Sequence, residues 1–139
     1  MNYYIKASST AGIDGSILIK ESNIQFGTTE KSTKQLPNPT ELFLGAFASC
    51  ILKNVERFSD LMKFEYDKAS IYVTAIRLEH PPRLDNIRYE LEIKSDDPKL
   101  NIKLLKKNIE RHGTIYNTVV KSSDVSGRII KLERKVNTK

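Results

Sequence analysis

Cysteine is nearly missing from this chain: Cys50 is the only one in 139 residues. No internal disulfide can form, which fits a reducing compartment, and the expected setting is cytoplasmic. The only two histidines, His80 and His112, are far apart in sequence. With one thiol they fall short of the three or four convergent ligands zinc normally takes, so no metal site is expected. Tryptophan is absent, and the 6 glycines and 5 prolines are too few for a fibrous or low-complexity chain. No apolar run approaches the roughly 18 residues that cross a bilayer. The opening Met1–Lys6 leads into no apolar stretch, so neither a membrane span nor a secretory leader is expected.

What is present describes one ordinary globular domain. The chain is long enough for a core without metal or disulfide support. The formal charge is +6, and much of it sits on Lys131, Arg134, Lys135 and Lys139 and on Lys99, Lys103, Lys106 and Lys107. Acidic residues are interleaved almost everywhere, which makes a solvated surface. Nucleic acid is not the expected partner, because no recognition motif or basic-aromatic stripe accompanies the charge. The Gly12-Ile13-Asp14-Gly15 run has the GxxG spacing of a phosphate-clamping loop, but that loop joins helices, and strand-like residues flank this one.

The order of elements predicts an α+β, mostly antiparallel fold. Tyr3–Ala7, Ile17–Ile19 and Ile24–Phe26 read as short strands, with Asp14-Gly15 as a turn signal between the first two. Residues 28–37 are a polar loop. Ile71–Leu78 is a β-branched strand that Pro81-Pro82 should stop, and Asp85-Asn86 suits the next turn. Ile87, Tyr89, Leu91 and Ile93 then alternate with Arg88, Glu90, Glu92 and Lys94, the pattern of a half-buried strand. A second helix is predicted from Asp97-Pro98 to Gly113, with Ile102, Leu105, Ile109 and His112 inward. A helical turn at 115–121 and a last strand at about 127–136 complete the chain.

The strongest local signal lies between residues 38 and 62. Asn38 suits an N-cap, Pro39 a first helical position, and Glu41 the return partner of a capping box. Leu42, Phe43, Ala46, Phe47, Cys50, Ile51, Val55, Phe58 and Met62 follow at spacings of three and four. One long helix is predicted, with Gly45, Ala46, Ala48 and Ser49 leaving its centre open to close approach.

The run Asn38-Pro39-Thr40-Glu41-Leu42-Phe43-Leu44-Gly45-Ala46-Phe47-Ala48-Ser49-Cys50 resembles the signature helix of the OsmC/Ohr family. That helix opens on Asn-Pro-x-Glu-Leu and carries a reactive Cys some nine residues on. Glu110-Arg111-His112-Gly113-Thr114-Ile115-Tyr116-Asn117-Thr118 resembles the family's later motif, which usually reads like His-Cys-Pro-Val-Ser-Asn. Element order and length agree along the whole chain, so the resemblance implies a single OsmC-like domain over residues 1–139. It also implies a two-lobed, intertwined homodimer whose sites both chains build. The implied activity is thiol-dependent reduction of organic hydroperoxides in oxidative stress defence. In the family the first Cys attacks the peroxide oxygen, an Arg and a Glu orient and activate it, and the second Cys closes a disulfide. This chain departs from that set. Gly113 holds the second-Cys position, no Arg precedes Arg57, and Thr40 stands where the peroxidase branch has its Glu. Glu41 matches other branches.

The residues bear on that chemistry directly. An ordinary thiol is mostly protonated at neutral pH, and the thiolate is the nucleophile. Cys50 stands about 12 residues into its helix, too far for the helix dipole to act strongly. Lys53 is the one cation at helical reach of it, whereas Phe47, Ile51 and Ala46 favour the neutral thiol. Glu41, nine residues earlier, falls on the opposite side of the helix, about 13 Å along its axis. Helix capping accounts for it.

Two readings of Cys50 therefore stay open: a peroxidatic nucleophile and a buried structural thiol. As a nucleophile it would need no cofactor, only an external thiol of the glutathione, lipoamide or coenzyme A type. Phe47, Lys53, His112, Tyr116 and Asn117 are the expected pocket residues. His112 is also explained as an inward helix residue, and Tyr116 and Asn117 by turn and packing roles. The alternative to an enzyme is a binding protein that uses the dimer-interface pocket for an apolar or thiol-bearing small molecule.

Overall fold

The computed structural model describes residues 1–134. The chain divides into two compact units, Met1–Gly45 and Ala46–Lys139. Among the described residues every buried apolar side chain belongs to the second unit.

The first unit is an antiparallel meander of β1 (Lys6–Ser9), β2 (Gly15–Ile19) and β3 (Ser22–Phe26). The first turn is not made by Asp14-Gly15. Gly12 takes φ +76°, and the Ile13 N–H donates to Thr10 O, so the chain reverses two residues earlier. Asp14 instead anchors the loop after β3. Its Oδ1 accepts from the Thr28 N–H at 2.9 Å and the Ser32 hydroxyl at 2.7 Å, bonds that hold its carboxyl below the usual range. The turn also sets where β1 pairs. Lys6 faces Leu18, so Tyr3 and Tyr4 run past the partner strand and lie outside the ladder, contrary to the predicted Tyr3–Ala7 strand. The polar loop holds a short 3-10 turn, Glu30–Ser32.

The long helix forms as predicted, as α1 (Pro39–Leu61). Its capping box is complete: the Glu41 N–H donates to Asn38 Oδ1 at 2.8 Å, and the Asn38 N–H donates to Glu41 Oε1 at 3.1 Å.

In the second unit, β4 (Lys68–Glu79) and β5 (Pro82–Lys94) form a long antiparallel hairpin, and β6 (Val125–Leu132) lies parallel to β5. The crossover that a parallel pair requires is α2 (Ile102–His112) followed by α3 (Thr114–Val119). Ile87, Tyr89, Leu91 and Ile93 are buried as the alternation predicts. With Phe47, Ile51, Val55 and Phe58 of α1 and Leu105 and Ile109 of α2, they make the core.

Four further boundaries differ from the sequence reading. Pro82 opens a strand, a first position where its missing N–H breaks no ladder. Asp85-Asn86 does not turn the chain: Asn86 and Ile87 oppose Ala75 in a bulge, with Asn86 at φ +48°. The second helix starts four residues later than Asp97-Pro98, because Asn101 is the cap, accepting from the Leu104 N–H at 3.0 Å. The last strand begins and ends earlier than 127–136, and residues 135 and 136 lie outside the described ones.

Candidate functional site

Cys50 faces the joint between α2 and α3, where Gly113 closes one helix and opens the next. A Cβ built on Gly113 would stand 3.3 Å from Cys50 Sγ, 3.0 Å from Tyr116 Cβ and 3.0 Å from Ile109 O. Two segments that are 63 positions apart in sequence, and that carry the two motifs, thus meet at the sulfur. The thiol is partly exposed, neither sealed in the core nor on the open surface.

One turn before the thiol, Phe47 is fully buried and ties it to an aromatic floor. Its ring lies 5.9 Å from Tyr116 in a near-parallel stack and 6.2 Å from Tyr89 at 56°. The Tyr89 hydroxyl donates to Glu110 Oε1 at 2.9 Å, and Lys106 Nζ reaches the same oxygen at 2.7 Å. Burial, with the Glu110 carboxylate beside it, pushes the Tyr116 phenol up to about 12, and the same causes raise Tyr89 further. Both stay protonated at neutral pH, and the single O–H of Tyr89 is taken up by Glu110. One turn after the thiol, Asn54 Nδ2 donates to Cys50 O at 3.0 Å and reaches Sγ at 3.8 Å.

The remaining expected site residues are placed as follows. Lys53 is exposed on α1. His112 is not inward: it is exposed, and its ring rests 5.7 Å from that of Phe58, a partner suited to an imidazole in the last, wetter turn of a helix. Asn117 donates from Nδ2 to Arg111 O at 3.0 Å and so satisfies a carbonyl at the end of α2. The carboxylate of Glu41 is engaged by the Asn38 N–H.

The sequence places Asn54 at helical spacing from Cys50, but the reading assigned it no role, and it missed the Tyr89–Glu110 pair as a neighbour of this site. Asn54 carried a signal, a polar residue within an apolar stripe, whereas the pairing of Tyr89 with Glu110 depends on tertiary packing. A cleft of about 1250 Å³ elsewhere in this unit, lined by Glu56, Arg57, Tyr66, Asp67, Asp96 and Arg134 among others, does not include Cys50. Its charges are largely paired, Arg134 with Asp67 and Asp96, and Tyr66 with Glu56. No helix among the described residues is long and apolar enough to cross a membrane.

The comparisons with known proteins agree with this architecture. An OsmC-like protein from Mycoplasma pneumoniae superposes with TM-score 0.84 at 18% identity, covering 95% of this chain and 98% of that one. An organic hydroperoxide resistance protein from Legionella pneumophila gives TM-score 0.67 at 13% identity, with 94% and 97% covered. The organic hydroperoxide resistance protein OhrB of Bacillus subtilis gives 0.58 at 12% identity, with 93% and 98% covered. At such identities these likenesses establish the fold. No curated protein is similar enough in sequence to count as a match. Residues 32–126, well over half of the chain and including both motifs that meet at Cys50, match the family described as OsmC-like protein, and the chain belongs to that family.

Proposed function

We propose that this protein is a one-cysteine, thiol-dependent reductase of organic hydroperoxides, working as a homodimer in the cytoplasm. The observation that carries the reading is the meeting of Cys50 with Gly113 above the Phe47–Tyr116 stack, the first motif against the second. Family membership and the hydroperoxide-resistance names of two structural neighbours support the substrate class. The aromatic floor suits the organic part of a hydroperoxide.

The chemistry has two stages. The Cys50 thiolate attacks the distal peroxide oxygen, the O–O bond breaks, and the alkoxide leaves and takes a proton, giving an alcohol and a sulfenic acid. With Gly113 opposite, no second thiol of this chain can resolve that acid. A low-molecular-weight thiol condenses with it, releasing water and forming a mixed disulfide. A second thiol, from another molecule of a monothiol or from the same molecule of a dithiol, then attacks that mixed disulfide, restores Cys50 and leaves the reductant as its own disulfide. Glutathione, lipoamide or coenzyme A would serve as the reductant class. Of the family's other two groups, the early Arg is missing, and Glu41 caps its helix.

Cumene hydroperoxide with dimedone trapping, run beside Cys50→Ser, tests the reading. Rapid dimedone labelling confined to Cys50, lost in the variant, is the expected result. Labelling no faster than that of free cysteine would leave a binding protein that takes an apolar or thiol-bearing small molecule at the dimer interface.

A further inference from the structure

Asn54 is the one polar side chain buried along α1. It sits among Phe47, Ile51, Val55 and Phe58 and is itself only 8% exposed. Burying an amide is unfavourable unless its hydrogen bonds are replaced, so its presence in an apolar stripe needs a cause. A leucine of similar size would extend the stripe without that cost.

The cause is at the sulfur. Asn54 stands one turn after Cys50, and its Nδ2 lies 3.0 Å from Cys50 O and 3.8 Å from Cys50 Sγ. A primary amide has two N–H donors, so one can hold the carbonyl while the other points at sulfur. The carbonyl contact alone gives little, since that oxygen already accepts within the helix. The Asn54 Oδ1 accepts nothing among the described residues, yet it is not sealed off from solvent. The carboxamide therefore keeps an acceptor free as well.

The charged and imidazole side chains nearby are turned to other partners or to solvent. Glu110 is held by Lys106 and Tyr89, His112 rests on Phe58, and Lys53 is exposed.

We propose that Asn54 is a positioning residue for Cys50, its carboxamide N–H stabilising the sulfur anion and fixing the direction in which the sulfur faces. The inference deepens the reading of Cys50 as the reacting group and rests on it. The same donor can then turn to the oxygen of a Cys50 sulfenate.

The test is the pH profile of Cys50 alkylation by iodoacetamide, run with cumene hydroperoxide consumption for the wild type, Asn54→Leu and Asn54→Asp. Asn54→Leu is expected to melt at the same or a higher temperature, because it removes a buried polar group. Its alkylation profile should move to higher pH, with the rate at pH 7 down about tenfold, the change that one unit of displacement gives. Asn54→Asp, which sets a negative charge beside the thiolate, should displace the profile further. A folded Asn54→Leu whose profile overlays the wild type overturns the proposal. Should Asn54→Leu fail to fold, a wild-type profile in Asn54→Asp overturns it equally. Displaced profiles in proteins that consume no hydroperoxide, wild type included, would keep this role for Asn54 and remove the peroxidase reading instead.

Discussion

Gly113 has φ −74° and ψ 117°, angles that any residue adopts, so its small size and not its flexibility is what the site uses. A side chain there would meet Ile109 O and Tyr116 Cβ at 3.0 Å and the Cys50 sulfur at 3.3 Å. About 3 Å separates a Cβ from the far sulfur across a disulfide, given an S–S bond near 2.04 Å. A sulfur placed at 113 would therefore sit within bonding reach of Cys50 after a shift of a few tenths of an ångström. Gly113→Cys is expected to lose both free thiols together on mild oxidation, read by thiol titration and by non-reducing mass analysis. In its reduced form it should be less stable than wild type by about 1–3 kcal/mol, the usual cost of crowding a packed position. Two titratable thiols after oxidation would show that the joint between α2 and α3 does not face the sulfur as described. At this scale Cys50 was legible in the sequence, because a lone thiol on an apolar stripe is conspicuous. The role of Gly113 as a space was not, since glycine at the end of a helix already has a sufficient explanation.

Elements were legible where one local rule acted without competition. The 38–62 helix combined a cap, a capping-box return and an unbroken apolar stripe, and it forms over Pro39–Leu61. The alternation from Ile87 to Lys94 likewise became a strand with one face buried. Boundaries went astray where two turn signals stood close together. Asp97-Pro98 and Asn101 both suit a helix start. The structure uses Asp97 to tie the preceding loop, with Oδ2 accepting from the Glu65 N–H and Oδ1 from the Lys99 N–H, both at 2.8 Å, and uses Asn101 as the cap. The two roles separate by pH. Bonds from the Lys99 and Glu65 amides hold the Asp97 carboxyl below its ordinary 3.8 in the folded chain. A lowered folded value means that the stabilisation is fully present above the unfolded value and is lost as pH falls through the folded one. Asp97→Asn is therefore expected to be less stable than wild type at neutral pH, with the gap closing as pH drops below about 4, near the unfolded value. Asn101→Ala should cost about 1 kcal/mol at every pH, because its cap is uncharged. Urea melts of both variants at several pH values check the pair, and a pH-independent gap for Asp97→Asn would remove this role.

For the whole molecule, the placement of apolar surface carries the argument. The buried apolar side chains of the described residues all lie within Ala46–Lys139, while in the first unit Ile13, Leu18 and Phe43 are exposed, Leu18 by 52% and Phe43 by 44%. Strands of four and five residues in a three-stranded sheet hold poorly without an apolar face packed on something. Covering a Leu or Phe side chain contributes about 2 kcal/mol, so a partner that covers these exposed residues of the first unit would add stability. A second copy is the partner we propose, and a stable homodimer would bury on the order of 800 Å² or more on each chain. The resemblance in the sequence implied a homodimer but not the surface it would use, because an amphipathic strand reads the same whether its apolar face meets its own chain or another. Sedimentation equilibrium at micromolar concentration is expected to give a dimer mass for the wild type. Leu18→Glu, which places a charge in the sheet, should shift the mass toward the monomer and lower the melting temperature, and the melting temperature of the wild type should rise with protein concentration. A wild-type monomer whose melting temperature does not change on dilution would show that this face is stable when bare, and the homodimer would have to be given up.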